Sequence, residues 1–394
     1  MTERLHYEDT FLFEFDARVV AHAALGDRAS VVLDRSAFYP ESGGQMADRG
    51  TLGGLPVIDV QIDDAGVVHH VVEGGLPAID ASVRGRIESK RRRLFASLHT
   101  AQHVLSRALV DVARADTVSS RLGETLATID VLETLSDARV SECETLANDL
   151  VDADRAVRAW FPSSDELASL PMRRAPKQTE NIRVVEVDGF DVSPCGGTHV
   201  TRTSQIGLVR VVGSEKYKGG TRVSFHSGPR ARAMLFAEDD ALRLVARALV
   251  CPVEGVSAGV ERLRADLSAS HGESGRLRSA LARRIAEEAR ASDAARVVVL
   301  LEDGGVELAQ KVASELAEGS RLAIVAMKIE EGTHLVVARG PESSENAGAI
   351  VKAITSAAGG KGGGRPERAE GRLPPGVDVR AAISAGVVRG ADAT

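Results

Sequence analysis

His99 and His103 stand four residues apart in a segment whose apolar residues recur at helical spacing. Both imidazoles therefore leave one helix face a turn apart and can reach a single cation. Further along, Ser193-Pro194-Cys195-Gly196-Gly197-Thr198-His199 offers a thiol and an imidazole at the same spacing, with two glycines that let the backbone turn between them. Three histidines and a cysteine are borderline-soft donors suited to tetrahedral zinc, Zn2+, at one ion per chain. Two roles stay open. A complete set of four protein ligands is a closed site that staples the fold, whereas a weakly held or displaced Cys195 frees the metal to polarise a carbonyl or activate a water. A third candidate is Phe38-Tyr39-Pro40-Glu41-Ser42-Gly43-Gly44-Gln45. Here Gly43 and Gly44 allow close backbone approach to a ligand, and Gln45 offers both donor and acceptor.

The elements that must position these residues give a multidomain α+β chain. Residues 1–88 read as a small all-β barrel: FLFEFDARVVAHAAL, SVVLDRSAFY, TLGGLPVIDVQID and GVVHHVVEG are β-branched or aromatic runs separated by Gly, Asp and Pro. The period changes near residue 90, where Leu94, Leu98, Val104, Leu105, Ala108 and Leu109 take helical spacing. A mixed α+β domain over 89–228 follows, with a strand at TLATIDVLE, a helix at ECETLANDLVDADRAVRAW and strands at NIRVVEVDGFDVS, GLVRVVG and TRVSFHSG. Residues 229–292 form a helical spacer or hairpin with seams at Val256, Val260, Leu263 and Leu267 and at Leu277, Leu281 and Ile285, interrupted at His271-Gly272. The stretch 293–394 alternates strand-like and helix-like runs, an α/β domain ending in the glycine-rich GGKGGGRPERAEG.

Composition excludes several classes. At 394 residues the chain is long enough for more than one core, and 43% hydrophobic with 27% charged residues is ordinary globular usage. No apolar run approaches the length of a membrane helix, and the N-terminus lacks a secretory pattern, so a cytoplasmic protein with no membrane partner is expected. Cys143, Cys195 and Cys251 are too few and too spread for a disulfide framework. A net charge of −7 excludes a globally basic protein but leaves room for local phosphate-binding patches.

FYPESGGQ, HTAQH, CGGTHV and the closing GGKGGGRP occur in the order found in the editing half of alanyl-tRNA synthetases. The chain resembles their free-standing relatives, the AlaX-type alanyl-tRNA editing proteins in the long form, with no room for an aminoacylation core before the barrel. The resemblance implies a zinc-containing hydrolase that deacylates tRNA(Ala) mischarged with serine or glycine. It also implies an editing domain of the threonyl/alanyl second-additional-domain type and a C-terminal domain of the DHHA1 type. His99, His103, Cys195 and His199 match the family's zinc-ligand positions, while Gly43, Gly44 and Gln45 match its substrate motif. Ser36 stands where relatives commonly carry Thr.

On this reading Gln45 and Cys195 are the catalytic candidates, and Ser36 and Gln45 bond the serine hydroxyl that alanine lacks. Lys90, Arg91, Arg92 and Arg93, with Arg173, Arg174 and Lys177, flank an acceptor-stem groove. Lys361 and Arg365 meet phosphate in a glycine-rich loop. That loop is no nucleotide P-loop, because Thr355 and Gly362 occupy required Gly and Ser/Thr positions, so ATP is not expected. A homodimer through the helical and C-terminal region is expected from the same resemblance. The alternative is a non-catalytic tRNA-binding protein with structural zinc; a DHH-type phosphodiesterase is disfavoured because no DHH triplet is present.

Overall fold

A computed structural model describes residues 2–26, 28–174, 181–291 and 294–391. The chain divides into two compact units, Met1–Leu244 and Val245–Thr394.

Within the first unit, six strands build a closed sheet: β1 (Glu14–Leu25), β2 (Arg28–Leu33), β3 (Gly50–Leu52), β4 (Leu55–Ile62), β5 (Val68–Val72) and β6 (Ser82–Ile87). Each neighbouring pair is antiparallel, and the pairing β1-β2-β5-β4-β3-β6 returns to β1, so the sheet closes on itself. Alternation explains the wall. Phe15, Ala17 and Val19 of β1 turn inward against Leu33, Leu52, Val60 and Val83, while Asp16 and Arg18 face out. Phe38, beyond the strands, packs its ring at 5.8 Å from Phe15 and plugs the interior.

Helix α1 (Ser89–Ala113) follows, ending where Arg114 turns left-handed at φ 57°. From Phe95 to Leu109 it is buried almost all round, as a central helix must be. Around it lie β7 (Thr117–Leu122), β8 (Ala127–Val131), α2 (Asp137–Asp152), β9 (Val157–Trp160), β10 (Val184–Val187), β11 (Asp191–Pro194), β12 (Val209–Tyr217) and β13 (Gly220–Ser227). Two antiparallel sheets result, β12-β13-β8-β7 and β9-β10-β11. Leu98, Leu105 and Leu109 share one core with Ile129, Val185, Val223 and Phe225. Each fully buried leucine contributes about 1.5–3 kcal/mol. The helix expected to run through Trp160 stops at Asp152; Val157–Trp160 pairs instead with β10, as its β-branched and aromatic residues favour.

Helix α3 (Gly228–Ala248) spans the unit boundary, and α4 (Val256–Arg290) belongs to the second unit. No break occurs at His271-Gly272: the helix continues through both, since one glycine in an exposed helix costs only about 1 kcal/mol. The second unit then carries β14 (Arg296–Leu301), α5 (Gly305–Leu316), β15 (Leu322–Ile329), β16 (Gly332–Arg339), α6 (Ala347–Ala357), β17 (Lys361–Gly364), β18 (Arg368–Leu373) and α7 (Val379–Ala391). Its sheet runs β14-β15-β16-β18-β17, parallel between β14 and β15 and antiparallel elsewhere.

The glycine-rich run at 361–364 is a strand where a loop was expected. It lies at the sheet edge paired with β18, and its glycines permit close approach: a Cβ on Gly362 would lie 2.6 Å from Val351 Cγ1 of α6 and 2.7 Å from Gly371 Cα. Lys361 and Arg365 are exposed on this hairpin. Among the described residues no helix is long and apolar enough to cross a membrane.

Candidate metal centre

His99, His103, Cys195 and His199 come together, their ligand atoms all within 4.8 Å of one another. Helix α1 supplies the first two, with ring centroids 5.3 Å apart. The loop leaving β11 supplies the others, and Cys195 Sγ lies 3.4 Å from His99 Nε2 and 3.2 Å from His199 Nε2. This loop can reach α1 because of Gly197: a Cβ there would stand 2.1 Å from His99 Cε1 and 2.2 Å from Nδ1. Arg183 clamps the loop's far side, donating to the carbonyls of Cys195 (3.1 Å) and Gly197 (2.9 Å).

The neighbours fix which nitrogen each imidazole presents. Gln45 accepts from the Thr198 N–H at 3.1 Å, and a backbone N–H can only donate, so the atom facing it is Oε1. The same oxygen lies 2.7 Å from His99 Nδ1, which must therefore carry hydrogen and leave a lone pair on Nε2. Thr100 spends its single hydroxyl hydrogen on Ala96 O at 3.0 Å; toward His199 Nδ1, at 3.1 Å, it is the acceptor. Asp191 Oδ2, an acceptor, sits 3.3 Å from His103 Nδ1, an ionic contact outside hydrogen-bond geometry. Gln45 and Thr100 thus turn the Nε2 lone pairs of His99 and His199 toward the thiol, and Asp191 places a carboxylate beside His103, an arrangement of the kind that orients metal-ligating histidines.

Electrostatics agree. Burial pushes the Cys195 thiol up, but the surrounding imidazoles prevail and draw it well below the usual thiol range. Burial pushes His199 down to about 3, keeping it neutral. At His103 burial is outweighed by Cys195 and Asp191, which raise it to about 9. A thiolate and neutral imidazoles are the forms that bind metal, and a divalent cation competes with the His103 proton. The donor set fits zinc.

The other expected residues fall elsewhere. Gln45 is fully buried, its Oε1 shared between His99 Nδ1 and the Thr198 N–H and its NH2 donating to Thr198 Oγ1 at 2.8 Å, so it sits beside His99 and orients that ring. Gly43 and Gly44 are exposed at φ 57° and 86°, and a Cβ on Gly44 would meet Ser120 O at 2.5 Å, so this turn docks Gln45 against β7. Ser36 is fully buried on the two-residue strand Arg35–Ser36, which pairs in parallel with Glu3–Arg4, its hydroxyl 2.7 Å from His70 Nε2; His70 Nδ1 donates to Val31 O, so the Ser36 hydrogen is committed.

Two of the three expected RNA-contacting arginines are structural. Arg92 is completely buried and holds Asp48 through Nε and Nη2, with Ala37 O accepting at 2.6 Å. Arg91 bonds Ala47 O and the Glu124 carboxylate. Only Arg93 is exposed, its guanidinium 5.1 Å from the rings of both Phe11 and Phe13. Arg173 is likewise committed, to Asp191 at 2.7 Å, Arg174 is exposed, and Lys177 lies outside the described residues. Thr100, Asp191, Thr198 and Arg183 escaped sequence reasoning, although Thr100 and Thr198 lie inside the motifs.

Comparison with known proteins first indicates a class. Residues 182–224 match the family described as threonyl and alanyl tRNA synthetase second additional domain, and residues 2–91 match class II (A) tRNA synthetases. The relatives are alanine–tRNA ligases: that of Pyrococcus abyssi is 32% identical over 391 residues, covering 94% of this chain and 42% of the relative. That of Methanopyrus kandleri is 32% identical over 401 residues, covering 95% and 43%. The chain thus spans about two fifths of the length of the curated relatives it matches. The C-Ala domain of Aquifex aeolicus alanyl-tRNA synthetase aligns with 22% of this chain and 85% of that domain, at 18% identity and a TM-score of 0.21.

Proposed function

We propose that this chain hydrolyses the ester linking a wrong amino acid, serine or glycine, to tRNA(Ala), at a zinc centre held by His99, His103, Cys195 and His199. The observation that carries the reading is the convergence of three imidazoles, two of them oriented by hydrogen bonds, on a depressed thiol. Two findings support the substrate: the second-additional-domain match spans Cys195 and His199, and the relatives are named for alanine and tRNA. We read the second unit as DHHA1-type. The exposed Leu263, Leu267, Leu277 and Leu281 of α4 support a homodimer seam.

When bound, zinc supplies a Lewis acid that stabilises negative charge developing on an ester oxygen. The chain's own residues prepare for that task. Gln45 and Thr100 keep His99 and His199 in one tautomer and one orientation, and Asp191 faces His103 with a carboxylate, so little reorganisation accompanies the reaction. Cys195 brings one negative charge, and Arg183 holds its loop rigid through two carbonyls. An aminoacyl ester is labile, so positioning and charge stabilisation suffice. Selectivity matters more, since a synthetic site for alanine cannot strongly reject glycine or serine.

Purified protein incubated with Ser-tRNA(Ala), Gly-tRNA(Ala) and Ala-tRNA(Ala) tests this. Release of serine or glycine with alanine retained, and loss of release after chelation, is expected. Binding of all three without hydrolysis would instead mark a tRNA-binding protein whose metal is structural.

A further inference from the structure

Beside α1 the first unit holds a cavity of about 250 Å³. Phe11, Arg93, Val200, Gln205, Pro229 and Arg232 line it, and Val200 directly follows His199. Its charged lining is wholly cationic, Arg93 and Arg232. Arg93 and Arg232 pair with no carboxylate among the described residues, and no carboxylate lines the cavity. Gln205 turns its carbonyl away, accepting from Thr201 N at 3.0 Å and Thr201 Oγ1 at 3.2 Å, which leaves its NH2 without a described acceptor. The Ser97 hydroxyl, also on the wall, donates to Ile206 O.

Two guanidinium groups and an amide NH2 around apolar walls select an anion with a flat, apolar body. Arg93 stacks its face on Phe11 and Phe13 and keeps its N–H edge free for two-point contact with phosphate. Phe11 and Pro229 offer flat surfaces to a base. In a chain of net charge −7, where most arginines around this unit's core are already paired, two uncompensated cations on one cavity form the local positive patch that RNA requires.

We propose that this cavity binds a single phosphate-bearing nucleotide of an RNA single strand, with Arg93 and Arg232 on the phosphate and Gln205 NH2 as a third donor. The inference rests on the tRNA reading above and deepens it by placing one end of the RNA beside the Val200 side of the metal loop.

The test is fluorescence anisotropy of the full-length, zinc-loaded chain with a labelled single-stranded tetraribonucleotide across a salt series. Arg93→Gln and Arg232→Gln should each weaken binding about tenfold and reduce the salt slope by about one. Gln205→Glu keeps the Thr201 bonds and the side-chain shape but adds a negative charge, and should abolish binding while zinc content and melting temperature hold. Wild-type RNA affinity in Gln205→Glu and Arg232→Gln would overturn the proposal. The two readings fail separately: a chain that binds RNA through this cavity yet cleaves no ester retains this site and loses the hydrolase. Ester hydrolysis with unchanged KM in both variants retains the hydrolase and loses this site.

Discussion

Replacing Gly197 by alanine adds one methyl group where the structure has no room. The new Cβ would fall 2.1 Å from His99 Cε1, 2.2 Å from Nδ1 and 3.1 Å from Gln45 Oε1. Restoring van der Waals contact requires the ring or the loop to move by about 1 Å, and two constraints resist. The ring is fixed by the 2.7 Å bond to Gln45, and the loop by the Arg183 clamp. Overpacking of this kind costs about 1–3 kcal/mol of stability. Breaking the Gln45–His99 contact costs a further 10–100-fold in metal affinity, on the order of losses seen for outer-sphere partners. The neighbouring Gly196 supplies the internal control, since a Cβ there meets only the Tyr7 hydroxyl at 3.4 Å, an ordinary contact. Zinc competition against a chromophoric chelator, with thermal melting, should therefore separate Gly197→Ala sharply from Gly196→Ala. Equal zinc affinity and equal melting temperature in the two variants would refute the close approach on which the centre is built.

Three further outcomes follow from the same contacts. Gln45→Ala should lower zinc affinity about 10–100-fold by releasing His99 Nδ1, read by the same competition; an effect on substrate KM alone would restore Gln45 to a substrate role. Arg92→Ala strands the buried Asp48 charge and should cost about 3–5 kcal/mol in denaturant unfolding, whereas Arg93→Ala, at the surface, should cost little. Asp130 is held below the usual carboxylate range, chiefly by its bonds to Arg222 at 2.6 and 2.8 Å. Its folded value is depressed, so its contribution is fully present above about pH 4 and fades as pH falls through the folded value. Asp130→Asn should thus destabilise by about 1–3 kcal/mol at pH 7 and by progressively less as pH falls below about 4, measured by paired melts.

Much of the metal centre was legible in the sequence because its geometry is local: an i, i+4 pair on one helix and a thiol and imidazole spanning two glycines need only spacing to be seen. What holds those ligands was not legible. Gln45 meets Thr198 across 153 residues, and its full burial is invisible to a reading that treats a glycine-flanked glutamine as open to ligand. Arginine was the second source of error. A run of basic residues at a helix start reads as a solvated face, yet α1 lies so deep that Arg91 and Arg92 must find Glu124, Asp48 and backbone carbonyls inside. Strand β6 (Ser82–Ile87) was missed although Val83, Gly85 and Ile87 alternate with Arg84 and Arg86; Gly85 weakens the apolar signal, because the Phe15 ring occupies the space of its missing Cβ. The glycines of Lys361–Gly364 misled for a similar reason, since they serve helix-to-strand packing, a tertiary demand that composition does not reveal.

The account's central claim is that four side chains from two distant stretches hold one zinc ion. Zinc-edge X-ray absorption of the purified full-length protein tests it most directly. One sulfur at about 2.3 Å and three nitrogens at about 2.0–2.1 Å are expected, with the sulfur contribution lost in Cys195→Ala. A zinc shell without sulfur in the unaltered chain, or a shell unchanged in His99→Ala/His103→Ala, would contradict it.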